Sequence, residues 1–216
     1  MPIITAIKVQ QRKATRVSVF LDRAFAFGLH QKVAGRFGLK PGMELSQRDV
    51  EAIQQGQVQQ ECFDKAMLYL SRRMHSGSEL RRKLLKSEFA EAVIEVTLQR
   101  LTDLNYINDA EFARQKLEHA QRKLIGQRRA LVDLMKSGVK GEVARDAVRE
   151  HFNQDEAKDN AQRLIEKSLP RLQRLDPVTA KRRLIGLLQR RGFDYDTIKP
   201  MVERALGAED HAENPE

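Results

Sequence analysis

The chain has no tryptophan, a single cysteine and few aromatic residues of any kind. Across 216 residues there are three tyrosines and nine phenylalanines, an aromatic share of 6%. A nucleic-acid reader that stacks bases on exposed rings needs more than this. With Cys62 as the only thiol, no intrachain disulfide can form, and zinc sites built from several cysteines of one chain are excluded. No apolar run approaches the roughly 18–20 residues that a bilayer-spanning helix requires. The opening residues MPIITAIKVQQRK place their charges after the apolar stretch, which is not a secretory-signal layout. A reducing, cytoplasmic setting without membrane attachment is expected.

Catalytic signatures are missing too. There is no GxxxxGK[ST], no GxGxxG after a strand and no GxSxG. His30, His75, His119, His151 and His211 are scattered and form no HExxH pair. Asp103, Asp109 and Glu111 lie close together. However, Asp103 reads as a helix end and the other two as a helix first turn, where negative charge complements the dipole. Their spacing matches no catalytic ligand set. The reading is of a protein without metal, cofactor or enzymatic activity.

What the chain does have is positive charge in a repeating arrangement. Net charge is +9, with 32% charged and 41% hydrophobic residues, which suits a helix-rich soluble protein and polyanion partners. The last eight residues, EDHAENPE, hold Glu209, Asp210, Glu213 and Glu216 and no Lys or Arg. Residues 208–216 therefore read as an acidic disordered tail that could compete weakly for a basic face.

Three copies of a two-helix motif follow one another. SELRRKLLKSEFA precedes AVIEVTLQRL, GQRRALVDLMKSGVK precedes EVARDAVREHF, and TAKRRLIGLLQRRGFD precedes DTIKPMVERAL. With Phe89, Val139 and Phe193 in register, Leu84, Leu134 and Leu188 align as core positions. So do Ile94, Ala144 and Ile198, and then Leu98, Val148 and Val202. His151 aligns with Leu101 and Ala205 and reads as a partly buried repeat residue. Repeats of this period form stacked arrays.

The first forty residues differ. IITAIKV and TRVSVFL are β-branched and partly alternating, and DRAF follows as a turn and the start of a further strand, giving a hairpin or meander. From Ser46 on, SQRD, SGSE, NDAE and NQDE resemble capping boxes, and Asp176-Pro177 reads as an N-cap followed by proline at the first helical position. Helices are predicted over 46–55, 58–74, 78–88, 91–103, 109–122, 126–137, 141–151, 155–169, 179–191 and 195–206. Gly138 and Gly192 fall where left-handed C-terminal caps are needed. Glu88 occupies that place in the first repeat, so its turn is expected to be built differently. The fold class is mainly α: an N-terminal β segment with a short helix (1–56), then three-helix repeats at 57–105, 106–153 and 154–207.

The basic residues recur with the repeat. Arg72, Arg73, Arg81, Arg82, Lys83 and Lys86 cluster in the first. Arg122, Lys123, Arg128, Arg129 and Lys136 follow in the second, and Lys181, Arg182, Arg183, Arg190 and Arg191 in the third. Lys86, Lys136 and Arg190 share one register. The clusters hold few acids, chiefly Glu79 and Asp133, whereas a merely solvated face would mix signs. Arginine suits bidentate bonds to phosphate or carboxylate. A helix-turn-helix operator reader is disfavoured, because the basic cluster sits on the first helix of each pair and the second helices offer only Gln99 as an amide.

The run SGSELRRKLLKSEF, then VIEVTLQRLTDLNYINDAEFA, then LIGQRRALVDLMKSGV closely resembles the RecX family of recombination regulators. ITAIKVQ, RVSVFLD and GLKPGMEL resemble the N-terminal extension of many members, so the likeness covers about residues 3–206. Glu88 departs from the glycine that many members carry. The resemblance implies a non-enzymatic, monomeric, elongated and curved array of three tandem helical repeats. It implies binding to the RecA recombinase filament on single-stranded DNA, with duplex DNA as a secondary partner. It also implies inhibition of filament growth, ATP hydrolysis, strand exchange and coprotease activity, and so a part in DNA repair and the SOS response. The basic residues named above would then contact phosphates or filament carboxylates. A general single-stranded-DNA-binding protein without a dedicated recombinase partner is the alternative, and a nuclease a more distant one.

Overall fold

The structure, a computed structural model, describes residues 1–207, so the expected acidic tail lies outside the described residues. By internal contacts the chain forms two units, one of residues 1–74 and 80–106 and one of residues 75–79 and 107 onward.

The first unit opens with a three-stranded antiparallel meander, β1 (Ile4–Gln10), β2 (Lys13–Leu21) and β3 (Ala24–His30), in sheet order β1-β2-β3. Alternation works as read: Val17, Val19 and Leu29 point to one face and are buried with Ile4. The β2–β3 connection is Asp22-Arg23, both left-handed (φ 47° and 72°), the requirement of a type I′ hairpin turn. Glycine usually supplies it. Here Asp22 Oδ1 accepts from Ile3 N at 3.0 Å and Thr5 Oγ1 accepts from Arg23 N at 3.0 Å, which holds the strained pair.

A short helix that the sequence pattern does not announce, α1 (Gln31–Arg36), follows with its N-cap made by His30. Its Val33 and Ala34 close the sheet's core together with Leu39, Leu45 and Ile53. Residues 46–55 and 58–74 are not two helices. They form one, α2 (Gln47–Leu70), started by a complete Ser46–Asp49 capping box and ended at Ser71. The break expected at Gly56 does not occur, because that glycine serves packing: a Cβ there would lie 2.8 Å from the Phe37 ring. Helices α3 (Gly77–Leu85) and α4 (Glu91–Asp103) complete the first repeat; α4 packs on α2, and the boundary between the units falls within α3.

The second unit contains α5 (Asp109–Arg122), α6 (Gln127–Lys136), α7 (Gly141–His151), α8 (Gln154–Ser168), a short 3-10 turn (Leu169–Arg171), α9 (Pro177–Arg191) and α10 (Tyr195–Gly207). Asn108, Asn153 and Asp176 cap α5, α8 and α9 through their side chains, as their spacing predicts. The register positions are core: Leu84, Leu134 and Leu188 are all fully buried, as are Ile94, Ala144 and Ile198. Val148 and Val202 are buried, whereas Leu98 is only half-buried.

The first repeat's turn corrects an expectation. It is built like the others. Glu88 adopts φ 64°, beside 82° at Gly138 and 91° at Gly192, and Phe89 N reaches Leu84 O as Val139 N reaches Leu134 O and Phe193 N reaches Leu188 O.

Candidate nucleic-acid interface

In the second unit the turn glycines do more than permit a left-handed residue. Gly126 N donates to Arg191 O at 2.8 Å and Arg128 N to Gly192 O at 3.2 Å, so the α9–α10 turn caps the open start of α6. Neither glycine has room for a methyl group: a Cβ on Gly126 would stand 2.5 Å from Gly192 O, and one on Gly192 would stand 2.3 Å from Arg129 N. The α6–α7 turn makes the same joint with residues 76–78, using hydroxyls instead of backbone donors. Ser76 Oγ donates to Ser137 O at 2.6 Å and Ser78 Oγ to Gly138 O at 2.9 Å. Asp109, one of the suspected metal acids, accepts from Gly77 N at 3.0 Å, and Glu111 binds Arg114.

These joints decide which basic side chains are engaged internally. Arg191 donates through Nη1 to Lys123 O at 2.9 Å and acts as a clamp between α9 and the end of α5. Arg128 pairs with Asp194, and Arg129 with Asp133 through Nε at 3.0 Å. Arg122 donates to Glu118 O at 3.3 Å. Lys181 pairs with Glu203 at 2.7 Å, and that bond holds the Glu203 carboxyl below the ordinary carboxylate range. Arg182, Arg183 and Arg190 are exposed and enter no ion pair among the described residues. Lys136 is exposed as well. Arg129, Arg190 and Arg191 meet around a cavity of about 310 Å³, with Ile125 and Leu187 as its apolar wall and Asp133 as its one carboxylate. Two repeats thus supply one arginine cluster.

In the first unit, Arg81 is turned onto α4. It bridges Glu91 at 3.3 Å and Glu95, so its charge is already met by the chain's own carboxylates. Arg72, Arg82 and Lys86 are exposed, and Arg73 donates to Met74 O at 2.7 Å. Lys83 lies over the Tyr69 ring at 4.8 Å, with Lys65 on the same ring at 5.6 Å. Tyr69 does not stand out in a sequence so poor in aromatics. Its one signal is Lys65 four residues earlier, one helical turn away. Exposed Leu85 and Met135, which precede Lys86 and Lys136, escape the sequence reading for a similar reason: their register belongs to the basic stripe, not to the core.

Family models match the chain in three places: the RecX N-terminal domain over residues 2–46, the first RecX three-helix domain over 62–101 and the third over 154–200. The Regulatory protein RecX of Bacillus velezensis is 33% identical over 206 residues, covering 94% of this chain and 78% of the relative. The chain belongs to the RecX family. The Bacillus subtilis Regulatory protein RecX is 32% identical over 205 residues, spanning 94% of this chain and 77% of its own length. A crystal structure of a regulatory protein RecX superposes with a TM-score of 0.81 at 24% identity, covering 92% of this chain and 98% of the other, and supports the fold. In this RecX-family chain the fold is the expected one, mainly α with three-helix repeats and a small N-terminal sheet. Among the described residues, no helix is long and apolar enough to cross a membrane.

Proposed function

We propose that this chain is a non-enzymatic regulator that binds the RecA filament on single-stranded DNA. In this reading it inhibits the filament's growth, ATP hydrolysis, strand exchange and coprotease activity. The observation that carries the reading is the exposed set Lys86, Lys136 and Arg190 at one register of three repeats, joined by exposed Arg182 and Arg183, in a member of a family of recombination regulators. Most other basic side chains of the clusters are neutralised or engaged internally, whereas Lys86, Arg182, Arg183 and Arg190 enter no ion pair among the described residues and are placed for phosphate or carboxylate outside the molecule. Several modest contacts acting together give avidity greater than any one. Exposed Leu85 and Met135 beside the cations favour a protein surface in the target as well as nucleic acid.

The test is ATP hydrolysis by the cognate recombinase on single-stranded DNA during titration with this protein. Inhibition at amounts well below the recombinase, surviving excess DNA, is expected. Inhibition only when the protein covers the DNA, relieved by more DNA, would reduce it to a general single-strand binder.

A further inference from the structure

A second cationic site lies in the first unit, and its lining includes none of the basic cluster residues named above. A cavity of about 400 Å³ opens between α1, α2 and α4, with Lys32 and Arg36 on one side and Arg100 on another. Its lining holds no Asp or Glu. The cavities of the second unit differ in this respect: one carries Asp133, another Glu156 and Asp159, a third Glu111, Asp146 and Glu150. Some arginines elsewhere are satisfied by the chain's own carboxylates, as Arg81, Arg114 and Arg16 show. Lys32, Arg36 and Arg100 enter no ion pair among the described residues. Asp64, one turn beyond Gln60, is engaged instead by Gln60 at 2.7 Å and by His30 at 3.8 Å. Three like charges around one cavity repel one another unless an anion joins them.

The site also has an apolar side. The Arg100 guanidinium lies over the Phe63 ring, 4.4 Å from its centroid, so a cation and an apolar ring meet in one wall of the cavity. Val33 and Val96 continue the wall, and Val96 is 53% exposed. No glycine-rich turn lines the cavity. The start of α1 already gives Lys32 N–H to His30 Nδ1 at 3.1 Å, so the backbone cradle that holds free phosphate is lacking.

We propose that this cavity binds an acidic peptide segment of a partner protein. Its Asp or Glu side chains would meet Lys32, Arg36 and Arg100, and a bulky apolar side chain would sit against Phe63, Val33 and Val96. The chain's own residues 208–216 supply the acids but no bulky apolar side chain, so they do not fit. This site is independent of the filament reading.

The probe is a fluorescein-labelled peptide of consecutive aspartates ending in phenylalanine, titrated with the full-length protein and followed by anisotropy. Saturable binding is expected. Arg100→Glu, and separately the Lys32→Glu/Arg36→Glu pair, should weaken it about ten- to a hundredfold, the range for removing a charge-assisted hydrogen bond. Arg182→Glu/Arg183→Glu should leave it unchanged. A peptide with alanine for the phenylalanine should bind about tenfold more weakly. Thermal melts by circular dichroism establish that each variant folds; if Arg100→Glu does not, Val96→Glu at the exposed wall replaces it with the same expected loss. Equal binding by folded pocket variants, or by a peptide with serines for the aspartates, would overturn the proposal. So would displacement by inorganic phosphate or ATP as effective as by unlabelled peptide, which would mark a phosphate site. Tighter peptide binding after removal of residues 208–216 would assign the cavity to the chain's own tail and equally overturn it.

Discussion

Glu88, Gly138 and Gly192 share one backbone conformation but have different neighbours, and the neighbours explain the residues. Gly138 and Gly192 press against Ser78 and the start of α6, where a Cβ would approach to 2.2 Å and 2.3 Å. Glu88 is exposed, so its side chain is tolerated at the modest cost of a left-handed non-glycine residue. Glu88→Gly should therefore change stability by no more than about 1 kcal/mol, with strain relief offset by unfolded-chain entropy. Gly192→Ala should cost about 2–4 kcal/mol, because strain and overpacking act together. Urea unfolding of the two variants separates these cases. Equal, small effects would mean that the joint at α6 yields easily. The sequence showed the left-handed positions at Gly138 and Gly192 but not the one at Glu88, and not their neighbours, since Gly126 and Gly192 lie far apart along the chain.

At the scale of elements, legibility followed the range of the forces involved. Helix starts capped by their own side chains were readable: Ser46, Asn108, Asn153 and Asp176 all accept from the residue three positions on. The start of α6 was read within one residue but its capping partners were not, because Gly126 makes no side-chain cap and those partners come from the α9–α10 turn. The false break in α2 has the same origin. Glycine is ordinarily a weak helix former, and only the distant Phe37 ring explains it at position 56. This fixes the sign of a substitution. In an open helix Gly→Ala stabilises by about 1 kcal/mol. Gly56→Ala should instead destabilise by about 1–3 kcal/mol, through displacement of Phe37, the residue that ends α1. A shift of the urea midpoint to higher concentration would show that α1 accommodates the methyl group freely. The third strand was only half-visible because Asp22-Arg23 lacks the glycine that usually announces a hairpin turn.

For the molecule as a whole, positive charge in the sequence is not the same as positive charge on offer. The clusters looked equivalent across the repeats, yet Arg81, Arg128, Arg129 and Lys181 are paired with the chain's own acids, and Arg191 bonds a backbone carbonyl. Sequence spacing alone could not separate them, because Asp194 and Glu203 meet Arg128 and Lys181 only through folding. This changes which variants inform on function. Arg81→Glu would place a third carboxylate beside Glu91 and Glu95, so a loss of binding there would confuse contact with folding. Arg182→Glu/Arg183→Glu disturbs no ion pair among the described residues. If the face contacts phosphates, affinity for single-stranded DNA falls with salt at a slope of about 0.7 per phosphate neutralised. The neutral pair Arg182→Gln/Arg183→Gln should then reduce that slope by about one to two while leaving thermal stability within about 0.5 kcal/mol of the parent chain. Binding measured over a series of salt concentrations reads both the slope and the affinity. An unchanged slope in the folded double variant would remove Arg182 and Arg183 from the interface and shift the phosphate contacts to Lys86, Lys136 and Arg190.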